Sequence, residues 1–184
     1  MSTMVMTGGT SGFGAIAAER LRSSGDTRLV LGARRPQPDG GDRESVALDL
    51  TSLESVRSFA SQVRSMLGGT PIDALVLNAG VVRRDVDGRT ADGFETTFGV
   101  NHLAHYLLLR LLLADMAEGA TVVLTTSGTH DPATGGLTPP RHADALLLAH
   151  PDRDPGREER PRKAGEQAYT SSKLCAVLTA RSLA

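Results

Sequence analysis

The stretch Thr3-Met4-Val5-Met6-Thr7-Gly8-Gly9-Thr10-Ser11-Gly12-Phe13-Gly14 decides the fold of this 184-residue chain. Its apolar first half predicts a strand, its glycines predict a tight turn, and Ala15–Ser23 predicts a helix. Gly8 permits the turn, while Gly12 and Gly14 let a phosphate approach the backbone where a Cβ would stand in the way. The helix that follows offers unpaired N–H groups and the positive end of its dipole. The turn therefore predicts a pyrophosphate site, although a glycine-rich strand–helix turn that binds nothing has the same pattern.

Short apolar runs and helical patterns alternate along the rest of the chain. Strands are predicted at Arg28–Ala33, Ser45–Leu48, Ile72–Leu77 and Thr121–Thr126, and helices at Thr51–Leu67, Phe98–Met116 and Glu166–Leu183. Apolar strands that alternate with helices are typical of a parallel sheet covered on both faces. They predict a Rossmann-type, doubly wound α/β sheet of about five strands within a single domain, residues 1–184.

Composition excludes several classes of protein. The 20 basic and 21 acidic residues nearly cancel, so we expect no nucleic-acid partner. The single cysteine, Cys175, excludes an internal disulfide framework and is typical of a reducing compartment. No apolar run reaches the roughly 18 to 20 residues of a membrane span, and the N-terminus does not resemble a signal peptide. We expect a soluble, cytoplasmic chain.

One segment interrupts the alternation. Six of the nine prolines fall within residues 128–167, and residues 151–163 are dense in charge. A structureless loop of this length is either functional or mobile. We interpret 128–167 as a proline-rich insertion loop with one short helix at Ala143–Ala149.

The end of the second predicted strand bears on the choice of dinucleotide. Sites that prefer NAD carry an acid there for the ribose hydroxyls, whereas this chain has Ala33 followed by Arg34 and Arg35. The planar guanidinium of an arginine can pair with a 2′-phosphate, which favours NADP(H) over NAD(H). A solvated basic pair at a strand end is a common alternative. Asp49, after the third strand, is placed to meet adenine, or is simply a neighbour of a helix N-cap.

Tyr169 and Lys173 lie four residues apart on a predicted helix, so they share one face. Tyrosine is a poor acid–base catalyst at neutral pH because its ordinary pKa is about 10. A lysine ammonium one turn away favours the phenolate. The pair therefore predicts a general acid/base, although in isolation this spacing also occurs on solvated helix faces.

Several motifs occur together in a fixed order. They are T-G-x-x-x-G-x-G at Thr7–Gly14, Asn78-Ala79-Gly80 after the fourth strand, Asn101 in the next helix, Ser127 after the fifth strand, and Tyr169-x-x-x-Lys173. Together they resemble the short-chain dehydrogenase/reductase family, from residue 3 to the end of the chain. The stretch from Gly93 to Tyr106 resembles its retinol dehydrogenase and protochlorophyllide reductase branch.

This resemblance implies an oxidoreductase that interconverts a carbonyl and an alcohol on a lipophilic small molecule. Tyr169 would exchange a proton with the substrate oxygen, and Lys173 would favour its phenolate and bind the nicotinamide ribose. Ser127 would polarise the reacting oxygen. Asn101 would hold a water that relays protons to Lys173, unless it is an ordinary buried asparagine.

The resemblance also implies a set of cofactor-binding residues. They are Gly8, Thr10, Ser11, Gly12, Phe13, Gly14, Arg34, Asp49, Leu50, Asn78, Ala79, Gly80, Tyr169 and Lys173. We expect no metal, since the five histidines have no ligand spacing. Cys175 is interpreted as a small buried residue, with a reactive thiol as the weaker alternative. A homodimer through the helices that carry Asn101 and Tyr169 is expected.

Two departures from the family pattern qualify these expectations. The insertion lengthens the separation between Ser127 and Tyr169, and the chain stops eleven residues after Lys173 (184 − 173), where family members continue with two further strands. We therefore expect an exposed apolar sheet edge, and substrate and reaction direction cannot be read from the sequence. The chain is either a C-terminally truncated enzyme or a non-catalytic dinucleotide-binding or interaction module.

Overall fold

The computed structural model describes residues 1–36 and 43–183. Within them, five parallel strands form one sheet in the order β3-β2-β1-β4-β5. The strands are β1 Ser2–Thr7, β2 Thr27–Ala33, β3 Arg43–Ala47, β4 Ile72–Leu77 and β5 Met116–Leu124. The chain runs outward from β1 to β3 and then crosses back to β4 on the other side. This reversal is the topological switch of a Rossmann-type doubly wound sheet, which confirms the predicted fold class.

Helices connect the strands. The α-helices of the described residues are α1 Gly12–Ser23, α2 Leu53–Leu67, α3 Thr96–Phe98, α4 Ala104–Leu112, α5 Ala145–Ala149 and α6 Pro161–Leu183. A π-helical turn, Gly99–Leu103, joins α3 to α4, and a 3₁₀ turn, Leu113–Asp115, leads into β5. Three further 3₁₀ turns are Gly128–His130, Pro132–Thr134 and Pro151–Arg153.

The central strand β1 buries its apolar side chains as the sequence predicts. In β1, between β2 and β4, Val5 and Met6 are almost wholly buried. Met6 packs with Ala18 of α1 and with Leu29 and Leu31 of β2. Burying an aliphatic side chain of this size contributes about 1.5 to 3 kcal/mol, so these contacts fix α1 against the sheet.

The predicted long helix Phe98–Met116 is wrong at both ends and in its middle. Helical structure begins at Thr96, widens into the π-helical turn, and ends its α-helical part at Leu112. Met116 already belongs to β5, which therefore starts earlier than the predicted strand Thr121–Thr126. Leucine periodicity locates a buried face, but it does not reveal a one-residue widening or a 3₁₀ ending.

Other helix boundaries differ for reasons that are local. Helix α1 begins at Gly12 rather than Ala15, since Ser11 is extended and takes the N-cap position. Helix α6 begins at Pro161 rather than Glu166, and proline is suited to the first helical position because its φ is already helical. The last residues of the predicted insertion loop 128–167 are therefore helical. Its predicted short helix is confirmed as α5.

The chain divides into two compact units. Unit 1 comprises residues 1–79 and 107–125 and contains the five-stranded sheet; unit 2 comprises residues 80–106 and 126–184 and contains the insertion and α6. The single-domain organisation stays a prediction. Among the described residues, no helix combines the length and the apolar character that crossing a membrane requires.

Within unit 2, ion pairs and hydrogen bonds fasten the insertion. The Asp154 carboxylate accepts hydrogen bonds from Arg141 and from His142 Nε2, the latter at 3.0 Å. Glu166 of α6 accepts a hydrogen bond from the Thr138 hydroxyl at 2.6 Å. The insertion is therefore held by specific polar contacts along its length.

Strand β5 forms one edge of the sheet. From Ala120 to Leu124 its side chains alternate between partly buried and exposed, and Val123 is 42% exposed. The expected edge is present, but of its exposed side chains Glu118 and Thr121 are polar and only Val123 is apolar.

Candidate functional site

The glycine turn of unit 1 has a backbone that other residues would not tolerate. Gly8 has φ +69° and Gly12 has φ +55°, values that glycine adopts without strain. A Cβ at Gly8 would lie 2.7 Å from the Ala79 backbone, and one at Gly14 would overlap the Gly8 carbonyl oxygen. The first and last glycines thus serve close packing between the turn and the end of β4.

The middle of the turn is suited to a phosphate. A Cβ placed at Gly12 would meet nothing within 4 Å, so the space above this residue is open. Within the described residues, the Ser11 hydroxyl makes no capping bond to α1, and the first turn of α1 carries no acid. The N–H groups at this helix end are therefore available to an anion. Thr10 and Phe13 are exposed beside them, and the residues present fit a pyrophosphate.

Asn78 locks the turn to the end of β4. Its Nδ2 donates to the Gly8 carbonyl oxygen at 3.1 Å, and its Oδ1 accepts from the Thr125 hydroxyl at 3.1 Å. The Thr7 hydroxyl oxygen accepts from the backbone N–H groups of Asn78 and Ala79 at 3.0 and 3.1 Å. The threonine that opens the motif and the asparagine thus hold the glycines in place.

The residues predicted to meet the adenosine half differ in their surroundings. Arg34 is exposed just after β2. Asp49 Oδ1 accepts hydrogen bonds from the Thr51 N–H and hydroxyl at 2.9 and 2.7 Å, as a residue next to a helix N-cap does. Leu50 is 9% exposed. The contact of Asp49 with adenine stays a prediction.

In unit 2, α6 brings Tyr169 and Lys173 together. Lys173 Nζ lies 5.6 Å from the centroid of the Tyr169 ring, and Lys173 is 4% exposed. Burial lowers the pKa of Lys173 because the ammonium loses hydration. A Cβ at Gly80 would lie 3.6 Å from Nζ, so the backbone after Ala79 passes directly beside the ammonium.

Asn101 joins two segments of unit 2 through its buried amide. Its Oδ1 accepts from the Val81 N–H at 2.8 Å, and its Nδ2 donates to the Val81 carbonyl at 2.9 Å and to Ser172 Oγ at 3.1 Å. Ser172 in turn donates to the Tyr169 carbonyl oxygen at 2.6 Å. The amide therefore ties the segment after β4 to the helix that carries the Tyr–Lys pair. Whether Asn101 also holds a water stays a prediction.

His105 is a neighbour of Asn101 that the sequence analysis missed. Its Nδ1 lies 3.1 Å from the Asn101 carbonyl oxygen, which only accepts, so Nδ1 carries the hydrogen. Burial lowers the pKa of His105 to about 4, which keeps the ring neutral at pH 7. The i, i+4 spacing from Asn101 was the available signal.

Ser127 follows β5 by three residues and is the N-cap of the 3₁₀ turn Gly128–His130. Its Oγ accepts from the Thr129 hydroxyl at 3.0 Å and from the Thr129 N–H at 3.4 Å. The hydroxyl of the preceding Thr126 donates to the Lys173 carbonyl oxygen at 3.0 Å. The segment that carries Ser127 is thus attached to α6 at Lys173, and all four predicted catalytic residues lie in unit 2.

A second missed residue, Glu95, stabilises the start of the helical segment that carries Asn101. Its buried carboxylate accepts from the N–H groups of Thr97 and Phe98, both at 2.7 Å. Burial raises the pKa of this carboxyl, and the two hydrogen bonds oppose that shift. Its position just before a helix was the available signal.

The remaining candidate, Cys175, is a core residue. It packs with Phe98 and Ala149, and burial raises the pKa of its thiol to about 11. The thiol therefore stays protonated, which confirms the structural interpretation. Among the residues that the structure describes, no group of three or more His, Cys, Asp or Glu side chains could hold a metal ion.

Comparison with known proteins shows which family the chain is similar to. The short chain dehydrogenase profile matches residues 2–136. Chloroplastic protochlorophyllide reductase B of Oryza sativa subsp. japonica is 33% identical over 199 residues, covering 96% of this chain and 49% of that protein. The chloroplastic protochlorophyllide reductase of Chlamydomonas reinhardtii is 32% identical, with coverages of 98% and 50%. The chain thus spans about half the length of the curated relatives it matches.

A solved structure gives the same result for the fold. The crystal structure of a protein from Mycobacterium paratuberculosis is 30% identical to this chain, with a TM-score of 0.73. The match covers all of this chain and 61% of that one. Because the family profile also covers well over half of the 184 residues, the chain belongs to the short-chain dehydrogenase family.

Proposed function

We propose that this chain is an NADP(H)-dependent oxidoreductase that interconverts a carbonyl and an alcohol on a lipophilic small molecule, with Tyr169 as general acid/base. Membership of the family implies oxidoreduction and an NAD(P)-type dinucleotide. The finer assignments rest on the residues themselves.

The observation that carries the proposal is the placement of Lys173. Its ammonium is buried and lies 5.6 Å from the centroid of the Tyr169 ring. A buried ammonium is costly unless a partner compensates for the lost hydration, and a phenolate is such a partner. The pair is therefore suited to moving a proton on and off the tyrosine oxygen.

The dinucleotide, when bound, supplies or accepts the hydride. In reduction, Tyr169 donates the proton that the substrate oxygen needs, and in oxidation it takes that proton back. Ser127 donates a hydrogen bond to the same oxygen and so stabilises the negative charge that develops there. Asn101 keeps Tyr169 and Lys173 in place through Val81 and Ser172.

The preference for NADP(H) is supported by Arg34, which is exposed after the end of β2 where an NAD site would carry an acid. In the glycine turn, the open space at Gly12 and the uncapped start of α1 would hold the pyrophosphate. A lipophilic substrate is supported by the similarity to proteins named for protochlorophyllide. A homodimer and a cytoplasmic location belong to the same proposal.

The test is a panel of lipophilic aldehydes, ketones and alcohols, assayed through the absorbance of NADPH. We expect reduction of at least one carbonyl compound with NADPH and slower reduction with NADH. If none of the panel reacts with either nucleotide, the proposed activity is wrong for this chain.

A second candidate is a dinucleotide-binding module without turnover. The exposed edge of β5 favours it, since such an edge can associate with another chain. Tight NADPH binding by a chain that converts no member of the panel would favour this candidate.

A further inference from the structure

We propose that Thr129 is a positioning residue that makes the Ser127 hydroxyl a dedicated hydrogen-bond donor. The inference rests on the proposed function, because it concerns how Ser127 would meet a substrate oxygen. It starts from the number of hydrogen bonds that one hydroxyl can make.

A serine hydroxyl has one hydrogen to donate and two lone pairs that accept. Both accepting positions of Ser127 Oγ are used by one residue: the Thr129 hydroxyl donates at 3.0 Å and the Thr129 N–H at 3.4 Å. The hydrogen of Ser127 is the group that remains. Ser127 can therefore donate to a further oxygen but has no lone pair left to accept from one.

The turn that carries the two residues keeps this arrangement fixed. Ser127 is the N-cap of the 3₁₀ turn Gly128–His130, and the His130 N–H bonds to the Ser127 carbonyl at 3.1 Å. His130 Nδ1 reaches the same carbonyl at 2.6 Å. On the other side, Thr126 is bonded to the Lys173 carbonyl at 3.0 Å. The Ser127 side chain is thus oriented by its immediate neighbours.

This arrangement fixes which group donates in each hydrogen bond between the substrate and Ser127 or Tyr169. In reduction, a substrate carbonyl oxygen accepts from Ser127 and takes its proton from Tyr169. In oxidation, an alcohol cannot donate to Ser127, so its hydroxyl hydrogen goes to the Tyr169 oxygen. Thr129 also polarises the serine hydroxyl, since hydrogen bonds in a chain strengthen one another.

Thr129→Val tests the assignment because it keeps the shape of the side chain and removes the hydroxyl. We expect kcat for carbonyl reduction to fall about tenfold, the size of one lost neutral hydrogen bond. The KM for the carbonyl compound and the Kd for NADPH should change less than twofold. Thr129→Ser retains the hydroxyl and should restore most of kcat.

Thr134→Val is the matched control, because Thr134 is an exposed threonine in the next 3₁₀ turn, Pro132–Thr134. It should leave kcat unchanged. Equal loss of kcat in T129V and T129S, or a T129V loss that extends to NADPH affinity and thermal stability, would show that Thr129 acts through the fold and overturn the assignment.

The proposed function and the role of Thr129 give different results when they fail. An unaltered chain that reduces none of the panel removes the proposed function, and this assignment with it. An active chain whose T129V variant keeps its kcat overturns the role of Thr129 alone.

Discussion

At the residue scale, Lys173 is held away from water with its ammonium near the face of the Tyr169 ring. Burial alone would favour the neutral amine, which is why it lowers the pKa of Lys173. A phenolate nearby would act in the opposite direction, and their attraction is stronger in a site of low dielectric than in water. The burial of Lys173 beside the Tyr169 ring is therefore the feature on which the proposed proton exchange rests.

The first prediction removes the tyrosine oxygen. Tyr169→Phe should abolish carbonyl reduction, because no other group is assigned to donate the proton, while the Kd for NADPH stays within about threefold. Turnover and a fluorescence titration with NADPH give the two values. Tyr106→Phe is the control, since Tyr106 is 40% exposed and has no assigned role. Turnover by Y169F at the rate of the unaltered chain would rule out the assigned chemistry.

At the element scale, the end of β2 is where cofactor choice would be exerted. Arg34→Ala should weaken NADPH binding about tenfold and leave NADH binding nearly unchanged, since a guanidinium pairs with the 2′-phosphate that NADH lacks. The measurement is a direct titration with each nucleotide. Arg57→Ala, which removes an exposed arginine from α2, is the control. Equal affinities for the two nucleotides in the unaltered chain would remove the role of Arg34.

The helical segment from Thr96 to Leu112 carries a pH dependence of its own. Burial lowers the pKa of His102 and His105 from 6.5 to about 4 in the folded chain. Between pH 6.5 and pH 4 the two histidines bind more protons in the unfolded chain than in the folded chain. Their neutral, buried form therefore supports the folded chain fully above pH 6.5, and this stability is lost as the pH falls towards 4. The loss is up to about 3 kcal/mol for each histidine.

His102→Gln tests this dependence in thermal or urea unfolding between pH 7 and 4. We expect the drop in the free energy of unfolding to be smaller by up to about 3 kcal/mol, the contribution of one ring. An unchanged drop would mean that His102 does not titrate as described.

The same elements show what sequence can predict. Both ends of β4 were predicted correctly from its short apolar run. Such a run is a local property of the sequence, and the same signal predicted the other strands. The glycine turn was predictable because its motif is short and local, although the packing of Gly8 against Ala79 was not. The π-helical turn at Gly99–Leu103 was not predictable, because a leucine-rich helical pattern looks the same whether a turn is π-helical or α-helical.

In the candidate site, the residues could be predicted from the sequence but their contacts could not. Asn101, Ser127, Tyr169 and Lys173 were identified from motif order, yet their partners were not. The bonds from Asn101 to Val81 and Ser172 join positions 20 and 71 residues apart, which no local pattern encodes. Glu95 was missed because a buried carboxylate and a solvated one look alike in sequence.

At the scale of the whole molecule, we expect the edge strand β5 to affect how copies of the chain associate in solution. Val123 is exposed on a strand whose outer backbone groups are not paired within the described sheet. We expect self-association that increases with concentration, and Val123→Lys should reduce it, since a charged edge resists pairing. Light scattering on a size-exclusion column measures the mass. Val82→Lys, at an exposed position outside the strands, is the control; if both variants behave alike, the β5 edge is not the contact.

The π-helical turn at Gly99–Leu103 holds one residue more than a regular α-helical turn would. Its closing bond runs from the Ala104 N–H back five residues to the Gly99 carbonyl instead of four. Deleting one residue here would restore an ordinary helix and turn everything on one side by about 100° relative to the other. Asn101 would then leave Val81 and Ser172. In a redesign of this chain, deleting one residue at this turn would therefore alter the position of Asn101 more than most substitutions would.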